Sequence, residues 1–199
     1  QGTVSIYTST DCSGEPVAVA YNNVPDGDGF EVEVEVEANT VTDLHATVTD
    51  KASNTSACTA EPLTYAHDTI APDPPVLTGT TPEAPSNDLA PKINGLAEPS
   101  AEIRLFGNAE CTGSVLGSGP VGAAGTFAIH ALVGMDAETV LYGNATDAAG
   151  NASGCSADSI SYTNDSTAPE TPLLTHTVPE SPSTTNTTPT VHGTTEPNV

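Results

Sequence analysis

The 199-residue chain has almost no positive charge. Lys51, Lys92 and Arg104 stand against 26 acidic residues, for a formal net charge of −23. A surface of that sign repels phosphate backbones and anionic membrane surfaces, so it excludes nucleic-acid binding and disfavours membrane association. Tryptophan is absent and aromatic residues make up 4% of the chain, leaving no stacking platform for bases or sugars. No run is long and apolar enough for a membrane span, no signal peptide is evident, and no apolar pattern follows the 3.6-residue helical period. The chain reads as a mature product or a fragment.

What is present favours strands and turns. Glycine and proline number 17 each, among many threonines and serines. Hydrophobic residues reach 36%, enough for small β domains with thin cores. The acidic excess suits a protein that binds cations, or one kept soluble by charge alone.

The strongest signal is a repeat. Residues 50–72 read DKASNTSACTAEPLTYAHDTIAP and residues 147–169 read DAAGNASGCSADSISYTNDSTAP, with ten of 23 positions identical at an offset of 97. Self-similarity at such a period means equivalent domains in tandem. The four cysteines fall at matching places in the repeats, and of three possible connectivities only Cys12–Cys58 with Cys111–Cys155 preserves the repeat. Metal binding by each pair is the weaker alternative, since no histidine recurs beside it. Disulfides would place the chain in an oxidising compartment, extracellular or periplasmic.

Strands are expected over 76–78, 91–96, 102–106, 114–116, 126–131, 139–146 and 156–162. Seven short strands separated by turn residues predict a β-sandwich with Greek-key connections. Ile103, Leu105, Phe127, Ile129 and Leu141 are the core candidates. In the first copy, Phe30-Glu-Val-Glu-Val-Glu-Val-Glu37 alternates strictly and predicts a strand with valines inward and glutamates in solvent.

The phase of the ends differs from that of the middle. Val4-Ser-Ile-Tyr7 matches Ile103-Arg-Leu-Phe106, and residues 189–197 (PTVHGTTEP) match residues 91–99 (PKINGLAEP). The domains are therefore expected as 1–67, the back of a repeat from its third strand onward; 68–165, a complete repeat; and 166–199, the front of a repeat. The fold class is all-β: tandem Ig-like Greek-key sandwiches, one intact and one split between the chain ends. The split admits two explanations, a window on a longer tandem array or identical subunits that complete one another by strand donation.

Asp165 to Pro169, Gly95 to Pro99 and Thr146 to Ser153 carry the pattern Asp-x-x-Ala-Pro, Gly-x-x-Glu-Pro and Thr-Asp-Ala-Ala-Gly-Asn-x-Ser. This resembles the bacterial Ig-like (Big) tandem repeats of giant extracellular adhesins and biofilm surface proteins, over essentially the whole chain. The resemblance implies a stalk or fibre at the cell surface, often stiffened by Ca²⁺ at the domain junctions. The chain departs from the pattern by its cysteine pair per repeat, and Asp50-Lys-Ala-Ser-Asn54 lacks the glycine.

On a seven-strand sandwich the entry linker, the second turn and the sixth turn share one pole. Asp68, Glu98 and Asp147 are therefore expected to converge, and a hard cation such as Ca²⁺ would find carboxylates and loop carbonyls there. Asn151 is a further candidate ligand. The corresponding set at the split repeat is Asp165, Glu196 and Asp50, with Asp50 contributed from elsewhere in the assembly. The competing reading is that Asp at a turn caps its own backbone. Asp26-Gly-Asp28-Gly is a second acidic turn, read as a plain hairpin. The five histidines do not recur at the repeat offset and read as surface or incidental residues. Sequons at Asn54, Asn144, Asn151, Asn164 and Asn186 are glycosylation acceptors by pattern.

No catalytic triad, zinc helix or phosphate-binding loop is present, and the chain does not read as an enzyme. The leading expectation is a structural extracellular segment of a surface fibre, its partners being neighbouring Ig-like domains or identical subunits end to end. The alternatives are a glycan- or receptor-binding adhesin module, with Tyr21 as its one unexplained aromatic, and an accessory spacer of a secreted polysaccharide-degrading enzyme.

Overall fold

The computed structural model describes residues 2–21, 29–184 and 186–197. Every regular element is a strand. Two disulfides, Cys12–Cys58 and Cys111–Cys155, join the pairs that the repeat requires, with Cα separations of 5.6 and 5.5 Å.

The middle of the chain forms a two-layer sandwich. One layer is β5 (Val76–Thr81), β6 (Lys92–Leu96) and β9 (Thr126–His130), in the order β5-β6-β9; the other is β7 (Glu102–Phe106), β8 (Gly117–Pro120), β10 (Glu138–Thr146) and β11 (Ile160–Thr163), in the order β11-β10-β7-β8. All pairings are antiparallel, and the chain changes layers after β6, β8 and β9, which is the expected Greek-key path. Period-2 alternation places one face of each strand inward: Phe127 and Ile129 from β9 meet Ile103 and Leu105 from β7 and Leu141 from β10. All five core candidates are buried, and Ile93 and Tyr162 join them.

The fourth strand differs from expectation. It runs Gly117–Pro120, after residues 114–116, although glycine and proline disfavour strands. Packing overrides propensity here. A Cβ at Gly117 would lie 2.1 Å from the His130 carbonyl oxygen, and one at Gly119 would press on the Ile129 side chain. Only a strand with glycine at the positions that face β9 can approach it so closely, and β8 is an edge, where Pro120 removes no ladder hydrogen bond.

The N-terminal residues form a single sheet of β1 (Thr3–Tyr7), β2 (Ala18–Tyr21), β3 (Val41–Thr49) and β4 (Leu63–Ala66), in the order β2-β1-β3-β4. That order corresponds strand for strand to β8-β7-β10-β11. The C-terminal residues form a hairpin of β12 (Leu173–Val178) and β13 (Thr190–Thr194), which corresponds to β5 and β6 down to the position of its bulge. Residues 30–37 are not a strand. Their glutamates are exposed and their valines half-buried, as expected, and Val32 and Val34 pack against Val4, Ile6 and Ala20. No ladder partner lies beside them among the described residues, whereas the matching β9 is paired along its length with β6. The acidic turn at Asp26 to Asp28 lies outside the described residues.

Candidate functional site

The junction between the first repeat and the sandwich is built from local hydrogen bonds. At one end of the first sheet Asn39 adopts a left-handed backbone, φ 58°, which asparagine tolerates better than most residues. This turn holds the outgoing chain: His67 N donates to Thr40 O, and Thr69 donates from both its backbone N and its Oγ1 to Asn39 Oδ1, at 2.7 and 2.9 Å. From the other side, the hairpin after β10 reaches the same linker, where Asn151 Nδ2 donates to Asp68 O at 3.2 Å. The linker is thus tied to the domain it leaves and to the domain it enters.

The next junction repeats part of this arrangement 97 residues later. Asp136 has φ 50°, its carboxylate accepts Ser166 N at 2.6 Å, and its own N donates to Asn164 Oδ1 at 2.9 Å. Asn39 and Asp136 were not singled out from sequence. Their signal was an Asn or Asp at the same phase of both repeats, two residues before the longest strand.

Asp68, Glu98 and Asp147, expected to converge, border one cavity without gathering into a close carboxylate cluster. The three residues, with Pro99, Ala101 and Ala149, line one cavity of about 330 Å³ between the entry linker, the turn after β6 and the hairpin after β10. The carboxylates are differently engaged. Asp147 Oδ1 accepts Asn151 N at 2.9 Å and its Oδ2 accepts Asn151 Nδ2 at 2.8 Å. Asp50 repeats the pattern with Asn54. In both, the asparagine side chain and then the turn's backbone N–H groups hold the aspartate below the usual carboxylate range. This explains the Asp-x-Ala-x-Asn motif: the first residue caps the turn and the last clamps it. Asp68 Oδ1 accepts Ile70 N at 2.9 Å. Glu98 makes no side-chain hydrogen bond among the described residues.

Carboxylates are the donor type that a hard cation takes, and three of these residues border one cavity. It is not a preformed cage. Among the described residues no group of three or more His, Cys, Asp or Glu side chains is close enough to hold a metal ion. The second set is less complete. Glu196 Oε2 accepts Glu170 N at 3.1 Å beside a cavity of about 590 Å³, and Asp165 Oδ1 accepts Thr167 N. Asp50 does not line that cavity.

Two readings of single residues need correction. Asn164 is 1% exposed, and its Nδ2 donates to Ser86 O and Asp88 O, so in the folded repeat it is a buried clasp and not a glycan acceptor. Burial at this strand end was invisible in a motif of three residues. His45, read as surface or incidental, is not at the surface: it is 4% exposed with Nδ1 3.2 Å from Thr59 O. The Nδ2 groups of Asn54 and Asn151 are engaged with Asp50 and Asp147, and Asn144 has a buried, unpartnered Oδ1. Asn186 is exposed. Tyr21 stands 64% exposed at the end of β2.

Residues 71–159 match the family model described as Bacterial Ig domain. The sandwich and its Greek-key path lie largely on that segment. Among solved structures, the chain is similar to a "Biofilm associated protein - BSP domain", at 22% identity and TM-score 0.36, over 84% of this chain and 25% of that one. It is also similar to the "D00-D0 domain of Intimin", at 11% identity and TM-score 0.28, over 80% of this chain and 84% of that one. The chain spans about a quarter of the length of the biofilm-associated protein, and neither likeness carries an argument. No match to a curated protein was found. No helix among the described residues is long and apolar enough to cross a membrane.

Proposed function

We propose that this chain is a structural segment of an extracellular, surface-attached array of Ig-like domains, acting as a stalk or fibre and not as an enzyme. The observation that carries the reading is the junction. A linker tied to Asn39 of one repeat and to Asn151 of the next restricts the hinge between them, and a second junction uses Asp136 in the same way. A free linker would suffice for domains that merely coexist in one chain. One disulfide per repeat and the acidic surface support life outside the cell, where thiols oxidise and salt screens charge.

Calcium is part of the proposal. Asp68, Glu98 and Asp147 would hold the ion, which would offset their mutual repulsion and further restrict the hinge. Thermal melting with added Ca²⁺ and with excess chelator tests this part. The reading expects a melting temperature that rises with Ca²⁺, falls on chelation and loses the response in Glu98→Gln. A melting temperature indifferent to chelator removes the ion and leaves the hydrogen-bonded junction. Small-angle scattering tests the stalk itself: an extended particle of fixed length is expected, and a broad distribution of bent shapes would refute it.

A further inference from the structure

The histidines do not recur between the repeats, but two of them meet. His176 on β12 and His192 on β13 are cross-strand partners, and their rings stack with centroids 4.4 Å apart at an interplanar angle of 4°. Both are exposed. In the corresponding hairpin of the sandwich, Gly79 on β5 and Asn94 on β6 hold the same two places. There Ile93 and Gly95, on either side of Asn94, are buried, while Asn94 lies on the outward face with the exposed Lys92 and Leu96. By the same alternation His176 and His192 lie on the outward face of their hairpin. Whatever lies against the other face does not touch them.

A bulge sets the His176 ring. The register of the hairpin shifts between Leu174 and His176, leaving Thr175 as the extra residue, and a bulge re-aims the side chains beside it. Thr175 Oγ1 donates to His192 O at 3.1 Å and lies 3.2 Å from His176 Nδ1. A hydroxyl has one proton to give. With that proton on the His192 carbonyl, the second bond carries the ring's own Nδ1–H. The neutral His176 ring therefore holds its lone pair at Nε2. Metal-ligating histidines use this arrangement: one ring N–H is engaged by a neighbour, which fixes the tautomer and the ring's orientation, and the other nitrogen ligates. In the sandwich the bulge residue Thr78 has Gly79 beside it and no ring to set.

We propose that His176 and His192 form a two-nitrogen site for a divalent first-row transition ion, Cu²⁺ above Zn²⁺ or Ni²⁺, with water in the remaining positions. Neutral imidazole suits these ions, and affinity for such a site peaks at Cu²⁺. Two nitrogens on one ion lie no more than about 4 Å apart. Rings with centroids 4.4 Å apart reach that separation by turning about χ2, which is a broad torsion. The net charge of −23 raises the concentration of cations around the chain. Structural zinc sites close with four protein ligands; two histidines leave the coordination open, so this site exchanges its ion. It differs in chemistry from the carboxylates beside the entry linker, since a hard ion such as Ca²⁺ takes oxygen.

Cu²⁺ titrated into the purified chain in excess Ca²⁺, followed by calorimetry and electron paramagnetic resonance, tests this. The excess Ca²⁺ competes at carboxylates, so the result is independent of the calcium reading. The first equivalent of Cu²⁺ is expected to show hyperfine coupling to two nitrogens. Thr175→Val, which keeps a β-branched residue and removes the hydroxyl, should weaken binding by about tenfold. His176→Gln and His192→Gln should each weaken it further and remove one nitrogen from the spectrum. Because a substitution could disturb the hairpin, the unaltered chain is also read by ¹H–¹⁵N NMR of its imidazoles. The Nδ1–H tautomer is expected at His176, and broadening by the first Cu²⁺ at the His176 and His192 rings ahead of the other histidines. A first equivalent bound through oxygen alone, an Nε2–H tautomer at His176, or broadening that begins at another histidine overturns the proposal. So does binding that neither glutamine variant changes, which would leave the rings as a stacked cross-strand pair only.

Discussion

Replacing Asn164 by alanine isolates the clasp that closes the sandwich. Asn164 Oδ1 accepts Asp136 N at 2.9 Å and Ser166 Oγ at 3.0 Å, and Nδ2 donates to the carbonyls of Ser86 and Asp88, both at 3.2 Å. The two carbonyls keep other donors, since Asp165 N reaches Ser86 O and the Tyr162 hydroxyl reaches Asp88 O. Asp136 N loses its partner. Asp136 is exposed, so its N can turn to water. Each lost bond costs about 1 kcal/mol, and with four bonds gone and two carbonyls keeping other donors Asn164→Ala should cost ~3 kcal/mol in all. For a domain of this size each kcal/mol moves the midpoint by about 4–8 °C. Differential scanning calorimetry should therefore show the sandwich melting ~10–20 °C lower. His67 occupies the same phase in the first repeat with only its Nδ1 engaged, accepting Asn39 N at 3.1 Å. His67→Ala should shift its transition far less. A shift below ~3 °C for Asn164→Ala, less than the cost of a single lost bond, would refute the clasp.

Three further outcomes follow from the geometry. Removing the Cys111–Cys155 link with a double alanine variant reopens a loop spanning 44 residues; chain entropy puts the loss at about 4 kcal/mol, readable by denaturant titration of oxidised and reduced protein. Asp147 is held below its ordinary range by Asn151, so its contribution is present above the unfolded value and is lost as pH falls below about 4; Asn151→Ala should raise the Asp147 titration midpoint in a carboxyl NMR experiment and flatten that acid limb. Gly95→Val would drive a Cβ into the Phe127 ring and towards the Val76 carbonyl oxygen, 2.6 Å away, destabilising the sandwich by at least the ~1–3 kcal/mol of an overpacked core.

Much of the fold was legible because the repeat supplied a second reading of each signal. Matching cysteines gave the disulfides, and alternation gave Ile103, Leu105, Phe127 and Ile129 as core. Local patterns were weakest where tertiary contact decides. Gly117 and Gly119 form a strand only because β9 leaves no room for side chains, and 30–37 fails to form one because a strand needs a partner as well as a pattern. At the junction, topology put Asp68, Glu98 and Asp147 at one pole, and they border one cavity there. The hydrogen bonds that tie the linker were not legible, since Asn39 and Asp136 differ in identity and act through a backbone conformation. Asn164 looked like a surface sequon for the same reason: three residues of motif carry no information about burial.

The central claim is that the hydrogen-bonded linker between the first repeat and the sandwich is a restricted hinge, as a stalk requires. Small-angle scattering of the purified chain tests it most directly. The account predicts an extended particle of fixed length. A broad distribution of bent shapes would contradict it.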